Sequence, residues 1–196
     1  MKLRDGKIIA GVSARHLHLS EADLQILFGK EAELTPMKDL GQPGQYASEE
    51  KVRVVGPKGE FESVRVLGPV RKDTQVEVSL TDAYKLGVIP PVRDSGDIES
   101  TPGVKLIGPS GEVNLDKGLI LAKRHIHMTP ENAEKFQVKD KDIVSVLCDT
   151  DGRKTIFQDV LIRVSDKYAL EFHVDTDEAN ASFLKTGDEI RIICEL

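Results

Sequence analysis

Short segments of alternating apolar and polar residues recur along most of the chain, separated by turn-forming residues. The segment KVRVVGPKGEFESVRVL (51–67) carries Gly-Pro-Lys-Gly between two such runs, and VKLIGPSGEVNL (104–115) carries Gly-Pro-Ser-Gly. Both patterns predict β-hairpins. Further strands are predicted over KIIAGVS, QVEVSL, DIVSVLC, DTDGRKTIF, DVLIRV, LEFHV and DEIRIICEL. Many short strands with frequent turns are typical of barrels or sandwiches, so we expect a mainly β fold with short helices.

Helix start and stop signals predict four short helices between these strands. One begins after Ser20, where Ser20 and Asp23 resemble a capping box, and ends near Gly29. Another begins at Thr129-Pro130, because proline is favoured at the first helical position. The other two are predicted over 81–87 and within 175–185, the latter ended by Gly187. The segments 30–49 and 88–103 are predicted to be a loop and a linker.

The chain contains an internal duplication. LSEADLQILFG (19–29) aligns with MTPENAEKFQV (128–138), and EFESVRV (60–66) aligns with IFQDVLI (156–162) after a shorter loop in the second copy. The duplication predicts two small β-barrel domains. We place the first repeat at 1–95 and the second at 96–196, and the barrels can exchange strands across this boundary.

All five histidines belong to one repeated pattern. Four of them form two triplets, His16-Leu17-His18 and His125-Ile126-His127. Residues i and i+2 of a strand point to the same face, so each triplet can present two imidazoles to one metal ion. The alignment that places Phe61 on Phe157 also places Glu77 on the fifth histidine, His173. The duplication therefore predicts two metal sites of three residues each: His16, His18 and Glu77, and His125, His127 and His173.

The ligand count indicates the kind of site. Three protein ligands with one open position are the usual pattern of a catalytic zinc, whereas structural zinc sites are closed by four. Glu77 lies between Val76 and Val78 in an apolar strand. A carboxylate buried there needs a partner, and a metal would supply it.

Composition excludes several classes of partner. The 196-residue chain has a net charge of −6 and no long run of Lys or Arg, so we expect no nucleic-acid partner. It has no apolar run of about 18 residues, so we expect no membrane span. Cys148 and Cys194 are isolated, which favours free thiols in a cytoplasmic protein over a disulfide.

Basic residues and helix starts near the histidines predict an anion pocket. Each triplet is followed closely by a helix N-cap, and such ends favour anions. Arg15 and Arg124 directly precede the triplets, and Arg71 leads into the strand that carries Glu77. An arginine fork fits phosphate in a bidentate manner, and Arg71 is the preferred candidate for this role.

The segments ARHLHLS, GPVRKDTQVEVS, KRHIHMT and HVDTDEANA, in this order and spacing, resemble the PduL-type phosphate acyltransferases, also called phosphate propanoyltransferases or phosphotransacylases. The resemblance covers nearly the whole chain. It implies two β-barrel domains and two zinc ions, on the same two triads that the duplication gives. It also implies reversible transfer of a short acyl group, propanoyl or acetyl, between coenzyme A and inorganic phosphate, with acyl phosphate as the other product.

The resemblance further implies roles for individual residues. Arg71 would contact phosphate, and coenzyme A would lie against Ser13, Lys38, Arg65, Leu67 and Asn180. The chain departs from the microcompartment-associated members of the family, because only about a dozen residues precede the first triplet, without an amphipathic pattern. This favours a free cytoplasmic enzyme, for example in acetate metabolism, over propanediol utilization inside a microcompartment. The sequence allows a homo-oligomer.

The mechanism that we expect is direct displacement. One zinc acts as a Lewis acid on the thioester, while the other zinc and Arg71 orient phosphate for attack on the carbonyl carbon. Every histidine is assigned to metal, so no Ser-His-Asp or Cys-His arrangement is available and a covalent acyl-enzyme is disfavoured.

Three alternatives remain open at the level of sequence. A two-zinc hydrolase of a thioester or phosphate ester would use the same ligands with water as the nucleophile. A cupin-like oxygenase would use two histidines and a carboxylate on iron, and HIHMTPE imitates that spacing, but Glu131 falls at a helix start. A metal-binding module without catalysis would require closed coordination, whereas each site offers only three protein ligands.

Overall fold

The computed structural model describes residues 1–195, and the fold over these residues is mainly β with short helices, as predicted. The strands are β1 (Lys2–Leu3), β2 (Ile8–Ser13), β3 (His16–His18), β4 (Pro36–Asp39), β5 (Tyr46–Val55), β6 (Glu60–Gly68), β7 (Gln75–Glu77), β8 (Val92–Arg93), β9 (Lys105–Ile107), β10 (Glu112–Asn114), β11 (Leu119–Ala122), β12 (His125–Met128), β13 (Ile143–Cys148), β14 (Thr155–Val164), β15 (Glu171–Asp175) and β16 (Glu189–Glu195). The helices are α1 (Glu21–Phe28), α2 (Leu80–Leu86), α3 (Pro130–Lys135) and α4 (Thr176–Ser182). No helix within residues 1–195 is both long enough and apolar enough to cross a membrane.

The chain divides into two compact units. The unit that contains the first His-x-His triplet comprises Ala14–Leu40 and Gly44–Ala122, and we call it the first unit. The second unit comprises Met1–Ser13, Gly41–Pro43 and the chain from Lys123 onward.

The sheet of the second unit closes on itself. Its strands follow the order β1-β16-β13-β14-β12-β15-β2, and β2 also pairs with β16, so six strands form a barrel and β1 lies outside it. Buried aliphatic and aromatic side chains fill this unit, among them Ile126, Phe136 and Phe172. Burial of such side chains is the main driving force for forming the barrel.

The first unit contains a curled sheet that forms a half-barrel. Its strands follow the order β10-β9-β5-β6-β3-β7-β11-β8, with β4 paired to β5. Leu17 and Val76, which lie directly opposite each other on β3 and β7, are fully buried in its core. Because side chains alternate along a strand, the residues on either side of these two positions point to the opposite face.

The duplication is visible in the strand registers. In the first unit, His16 lies opposite Arg65 on a parallel neighbour and opposite Glu77 on an antiparallel one. In the second unit, His125 lies opposite Leu161 on a parallel neighbour and opposite His173 on an antiparallel one. Both triplet strands therefore occupy the same place between a parallel and an antiparallel partner.

Helix caps follow the triplets in both units. The side chain of Ser20 accepts from the backbone N–H of Asp23, and that of Thr129 accepts from the N–H of Asn132. The predicted helix start at Thr129-Pro130 is confirmed, with Pro130 in the first turn.

The compact units do not coincide with the halves 1–95 and 96–196. β2 belongs to the second unit because it pairs in parallel with β15 and antiparallel with β16. β11 belongs to the first unit because it pairs in parallel with β7. Hydrogen bonding between distant segments thus exchanges strands relative to the sequence repeats.

Five local predictions are wrong. The strand predicted over DTDGRKTIF starts only at Thr155, because a turn precedes it. The segment 88–103, predicted to be a linker, contains β8. The segment 30–49 is not all loop, since it contains β4 and the start of β5. The strand predicted over 75–80 ends at Glu77, because Ser79 caps α2, which starts at Leu80. Helix α4 ends before Gly187, with Phe183 as its left-handed C-cap.

Candidate metal sites

The first unit brings together His16, His18 and Glu77. Their potential ligand atoms all lie within 4.8 Å of one another. The Nε2 atom of His16 is 3.5 Å from Oε2 of Glu77, and the rings of the two histidines are 5.3 Å apart between centroids. Both histidines are buried, as is Leu17 on the opposite face of β3, so both faces of this strand are covered.

The second unit brings together His125, His127 and His173 in the same way. Their ligand atoms also lie within 4.8 Å of one another. The ring of His173 stacks on His125 at 4.9 Å between centroids and lies edge-on to His127 at 5.0 Å. These two groups, which we call the first and second triads, are the two that the sequence predicts.

Backbone carbonyl groups orient several of these rings. The Nδ1 atom of His16 lies 2.8 Å from the carbonyl oxygen of Ala14, and that of His125 lies 2.8 Å from the carbonyl oxygen of Lys123. A proton on Nδ1 leaves Nε2 with its lone pair, and this arrangement is typical of metal-binding histidines. The same contact in both triads shows that the duplication includes the orientation of this ligand.

Burial keeps three of the imidazoles neutral, those of His18, His125 and His127. It lowers the pKa of His18 to about 3 and that of His125 to about 3, with Arg71 acting in the same direction on His18. Burial and the neighbouring His125 lower the pKa of His127 to about 2. Neutral imidazole is the form that binds metal, so these rings are ready as ligands near pH 7 without losing a proton.

Glu77 is charged despite its surroundings. Burial alone would raise its pKa, but the neighbouring His16, His18 and Arg71 lower the pKa of Glu77 overall. An ionised carboxylate among buried groups requires a compensating cation or several hydrogen bonds. A divalent metal ion on the first triad would supply that charge.

The residues present fit zinc. Two atoms that bind a tetrahedral zinc at about 2.1 Å lie about 3.4 Å apart, close to the His16–Glu77 distance of 3.5 Å. In the second triad, Nδ1 of His127 is buried and has no hydrogen-bond partner among the described residues. Nitrogen and oxygen donors in sets of three suit zinc with one position open for a substrate.

Arg71 lies beside the first triad. Its Nη1 atom donates to Oγ of Ser95 at 3.0 Å, and Ser95 donates to Oε1 of Glu77 at 3.1 Å. The backbone N–H of Arg71 donates to the carbonyl oxygen of Leu19 at 2.8 Å, which fixes the segment before β7 against the end of the triplet strand. The guanidinium is therefore linked to Glu77 through one serine.

Arg15 and Arg124 are not available for an anion in the way that the sequence suggests. Each forms an ion pair of 2.7 Å with a carboxylate on the helix that follows the third ligand, Asp82 and Glu178 respectively. Each guanidinium also lies over a phenylalanine ring: Phe61 for Arg15 and Phe157 for Arg124. The duplicated arginine thus ties the triplet strand to that helix and helps to hold the triad together.

The residues predicted to contact coenzyme A lie in both units. In the first unit, Lys38 is exposed on β4. Arg65 lies opposite His16 and donates to the carbonyl oxygen of Ser48. The carbonyl oxygen of Leu67 is 3.2 Å from Nδ1 of His18. In the second unit, Ser13 lies opposite Asp175, the N-cap of α4. Asn180 is exposed on α4 and lines a groove of about 810 Å³ that also includes Phe183 and Lys185.

Sequence reasoning missed several polar residues around the triads. Nε2 of Gln75 donates to Oε1 of Glu77 at 2.6 Å. Oε2 of Glu171 lies 2.9 Å from Nε2 of His173. The other missed residues, whose contacts are described above, are Asp82, Ser95 and Glu178. The alignment that places Glu77 on His173 also places Gln75 on Glu171 and Asp82 on Glu178. The signal for these pairs was therefore present in the duplication. Ser95 has no such signal, because it comes from the segment predicted to be a linker.

Taken together, the barrel architecture and the paired triads define a class of protein, a duplicated β fold with two groups of side chains that could each hold a metal ion. A sequence model of the family called phosphate propanoyltransferase matches residues 9–185. A phosphate propanoyltransferase from Thermotoga maritima is 64% identical over 186 residues, which is 95% of this chain and 89% of that protein. A protein of the same name from Sebaldella termitidis is 55% identical over 177 residues, which is 89% of this chain and 82% of that protein. Another from Clostridioides difficile is 52% identical over 181 residues, which is 92% of this chain and 86% of that protein. This chain belongs to the phosphate propanoyltransferase family, which is a family of acyltransferase enzymes, and the predicted resemblance is confirmed.

Proposed function

We propose that this chain transfers a short acyl group, propanoyl or acetyl, reversibly between coenzyme A and inorganic phosphate, using two zinc ions per chain. The observation that carries the proposal is the pair of triads, each with three ligand atoms within 4.8 Å of one another, in a chain that belongs to an acyltransferase family. His16, His18 and Glu77 would hold one zinc, and His125, His127 and His173 would hold the other.

The proposed reaction is a direct displacement. A phosphate oxygen attacks the carbonyl carbon of the thioester, the C–O bond forms, the C–S bond breaks, and coenzyme A leaves as its thiolate. Bound zinc would supply Lewis acidity for a carbonyl or phosphoryl oxygen. The residues of the chain orient the reactants and stabilise the charge that develops in the transition state.

Arg71 is the residue that we propose for phosphate. Its guanidinium carries a fixed positive charge and a planar fork of donors, which fits two phosphate oxygens at once. Its bond to Ser95, and the bond from Ser95 to Glu77, hold the fork next to the first triad. A phosphate bound there would lie beside the ligand set of the first metal.

A covalent acyl-enzyme has little support in the chemistry of the available nucleophiles. The five histidines all belong to the two triads. Burial raises the pKa of the Cys148 thiol to about 12, so that side chain is neutral and has little nucleophilic character near pH 7. Direct attack by phosphate remains the simplest route.

Coenzyme A is the second substrate of the proposal. We assign its contacts to Ser13, Lys38, Arg65, Leu67 and Asn180, of which Lys38 and Arg65 carry the positive charge that its phosphates require. Both cysteines are free thiols, Cys148 buried and Cys194 exposed, which supports a reducing compartment such as the cytoplasm.

The test combines elemental analysis with two assays on the same sample. We expect about two zinc ions per chain, and about one in His16→Ala and in His125→Ala. We also expect acyl phosphate and free thiol to appear together when acyl-CoA and phosphate are supplied. Acetyl and propanoyl should both be accepted, with kcat/KM values that differ by at most about 10- to 200-fold, because one methylene changes discrimination by about 1–3 kcal/mol. Thiol release that does not depend on phosphate would instead identify a hydrolase, and a chain isolated without bound metal would refute the zinc assignment.

A further inference from the structure

The strand that carries the third residue of each triad also carries a polar residue two positions before it. Gln75 precedes Glu77 in the first triad, and Glu171 precedes His173 in the second. Residues i and i+2 of a strand share a face, so each polar side chain lies beside its ligand. The amide Nε2 of Gln75 donates to Oε1 of Glu77 at 2.6 Å, and Oε2 of Glu171 lies 2.9 Å from Nε2 of His173.

The two copies have exchanged the carboxylate between these positions. In the first triad the carboxylate is the ligand itself and a neutral amide supports it. In the second triad the ligand is a neutral imidazole and a carboxylate supports it. Each metal would therefore have one negative charge close to it, supplied directly by Glu77 or through the ring of His173 by Glu171.

Glu171 is held in place by a residue from a distant part of the chain. Nε2 of Gln42 donates to Oε2 of Glu171 at 2.9 Å and to the carbonyl oxygen of Ala169 at 3.1 Å. The amide oxygen of Gln42 accepts from the N–H of Ala169 at 3.1 Å, so both ends of the amide are fixed. Gln42 is only 4% exposed, and the short segment Gly41–Pro43 that carries it belongs to the second unit.

Two glycines make room for the carboxylate. A Cβ atom added to Gly41 would lie 2.4 Å and 2.5 Å from the two carboxylate oxygens of Glu171, and one added to Gly11 would lie 2.7 Å from one of them. Neither glycine has a φ in the left-handed region, so the backbone conformation alone does not demand glycine there. The space that these glycines leave is occupied by the Glu171 side chain.

We propose that Glu171 is a positioning residue for the second metal, with Gln42, Gly11 and Gly41 as its support. Its carboxylate accepts a hydrogen bond from Nε2–H of His173, which keeps the proton on Nε2 and leaves Nδ1 with its lone pair. The carboxylate also makes the ring a stronger electron-pair donor to the metal. This proposal rests on the proposed function, because it assumes that the second triad binds a metal ion.

The test isolates the second triad in a His16→Ala background, where we expect one metal ion per chain. Affinity for Zn²⁺ is measured by competition with a chromophoric chelator. Glu171→Gln should weaken binding by about 10- to 100-fold, the effect typical of losing a carboxylate behind a histidine ligand. Glu134→Gln, an exposed glutamate on α3, is the matched control and should leave the affinity unchanged.

A steric variant tests the support without removing the carboxylate. Gly41→Ala should weaken Zn²⁺ binding in the same direction, because its Cβ displaces Glu171. In Glu171→Ala the space is empty, so the double variant Glu171→Ala/Gly41→Ala should bind Zn²⁺ no more weakly than Glu171→Ala alone. Additive losses would mean that Gly41 acts through the fold rather than through the carboxylate.

A spectroscopic readout separates positioning from general damage. With Co²⁺ in place of Zn²⁺ in the same background, Glu171→Gln should shift the visible absorption bands, while circular dichroism and the melting temperature of the metal-free chain stay close to those of the parent. Unchanged Zn²⁺ affinity and unchanged Co²⁺ bands in Glu171→Gln would overturn the role of Glu171 alone. A parent that binds no metal at the second triad would overturn the proposed zinc assignment together with it.

Discussion

Removing the Arg124 side chain should lower the free energy of unfolding, and the contacts of that side chain indicate by how much. Nη1 of Arg124 donates to Oε1 of Glu178 at 2.7 Å, and the two side chains are only 27% and 20% exposed. A hydrogen bond between charged groups contributes about 1.5–3 kcal/mol, and partial exposure places this one near the middle of the range. We expect Arg124→Met to lower the free energy of unfolding by about 2 kcal/mol, since methionine keeps the apolar stem over Phe157.

The size of this effect should depend on pH in a defined direction. Burial and the neighbouring Asp175 raise the pKa of Glu178, and Arg124 opposes that rise. Without Arg124 the folded-state pKa rises further above its unfolded value. A carboxyl whose pKa is higher in the folded state than in the unfolded state lowers the free energy of unfolding at pH values above the folded-state pKa. This loss of stability disappears as the pH falls towards the unfolded-state pKa. The cost of Arg124→Met should therefore be larger at pH 8 than at pH 5.

Urea unfolding of the metal-free chain, followed by circular dichroism at both pH values, measures this cost as a difference from the parent. Because the parent and the variant contain the same histidines, their titration cancels in that difference. Glu178→Gln added to Arg124→Met should recover part of the loss by removing the uncompensated charge. Arg191→Met, at an exposed position on β16, serves as the control. The role of the Arg124–Glu178 ion pair would be refuted if Arg124→Met lowered the free energy of unfolding by less than about 0.5 kcal/mol, which is within the usual range for surface substitutions. A loss of stability that does not change with pH would refute it as well.

Three further predictions concern the triads directly. Arg71→Lys should keep zinc and fold but raise the KM for phosphate, because lysine keeps the charge and loses the planar fork; an unchanged phosphate dependence in steady-state kinetics would argue against a phosphate contact. Glu77→His should keep zinc, since the duplication already accommodates histidine at position 173, but it should lower turnover. A neutral ligand leaves the first metal more positive, and that metal would withdraw charge from the phosphate beside it and make the phosphate a weaker nucleophile. Zinc content and kcat measured on one sample decide this, and full turnover would contradict it. The metal-free chain should lose stability as the pH falls from 7 to 5, by about 2 kcal/mol each for His18 and His127. The unfolded ring takes up a proton near pH 6.5, whereas the folded pKa is about 3 for His18 and about 2 for His127. In urea unfolding, His18→Gln should flatten this dependence, and an unchanged slope would contradict the lowered pKa of His18.

The sequence by itself determined the features that depend on short spacing and on internal repetition. Alternation along a strand places His16 and His18 on one face whatever the rest of the fold does. The helix start at Thr129 depends on groups within one turn. The match of Glu77 to His173 needed only the alignment of the two copies, and that alignment reappears in the strand registers.

The tertiary structure alone decided what depends on contacts between distant segments. Nothing near β2 in sequence indicates that it pairs with β15 and β16, and therefore leaves the repeat in which it is encoded. Gln42 lies in a segment predicted to be a loop, yet it is buried against Glu171. Arg15 next to a histidine triplet suggests an anion site, whereas in the fold it faces Asp82. Local patterns determine which residue types occupy each face, but hydrogen bonding and burial between remote strands determine which faces meet, and that pairing decides which charges are neutralised and which remain for a substrate.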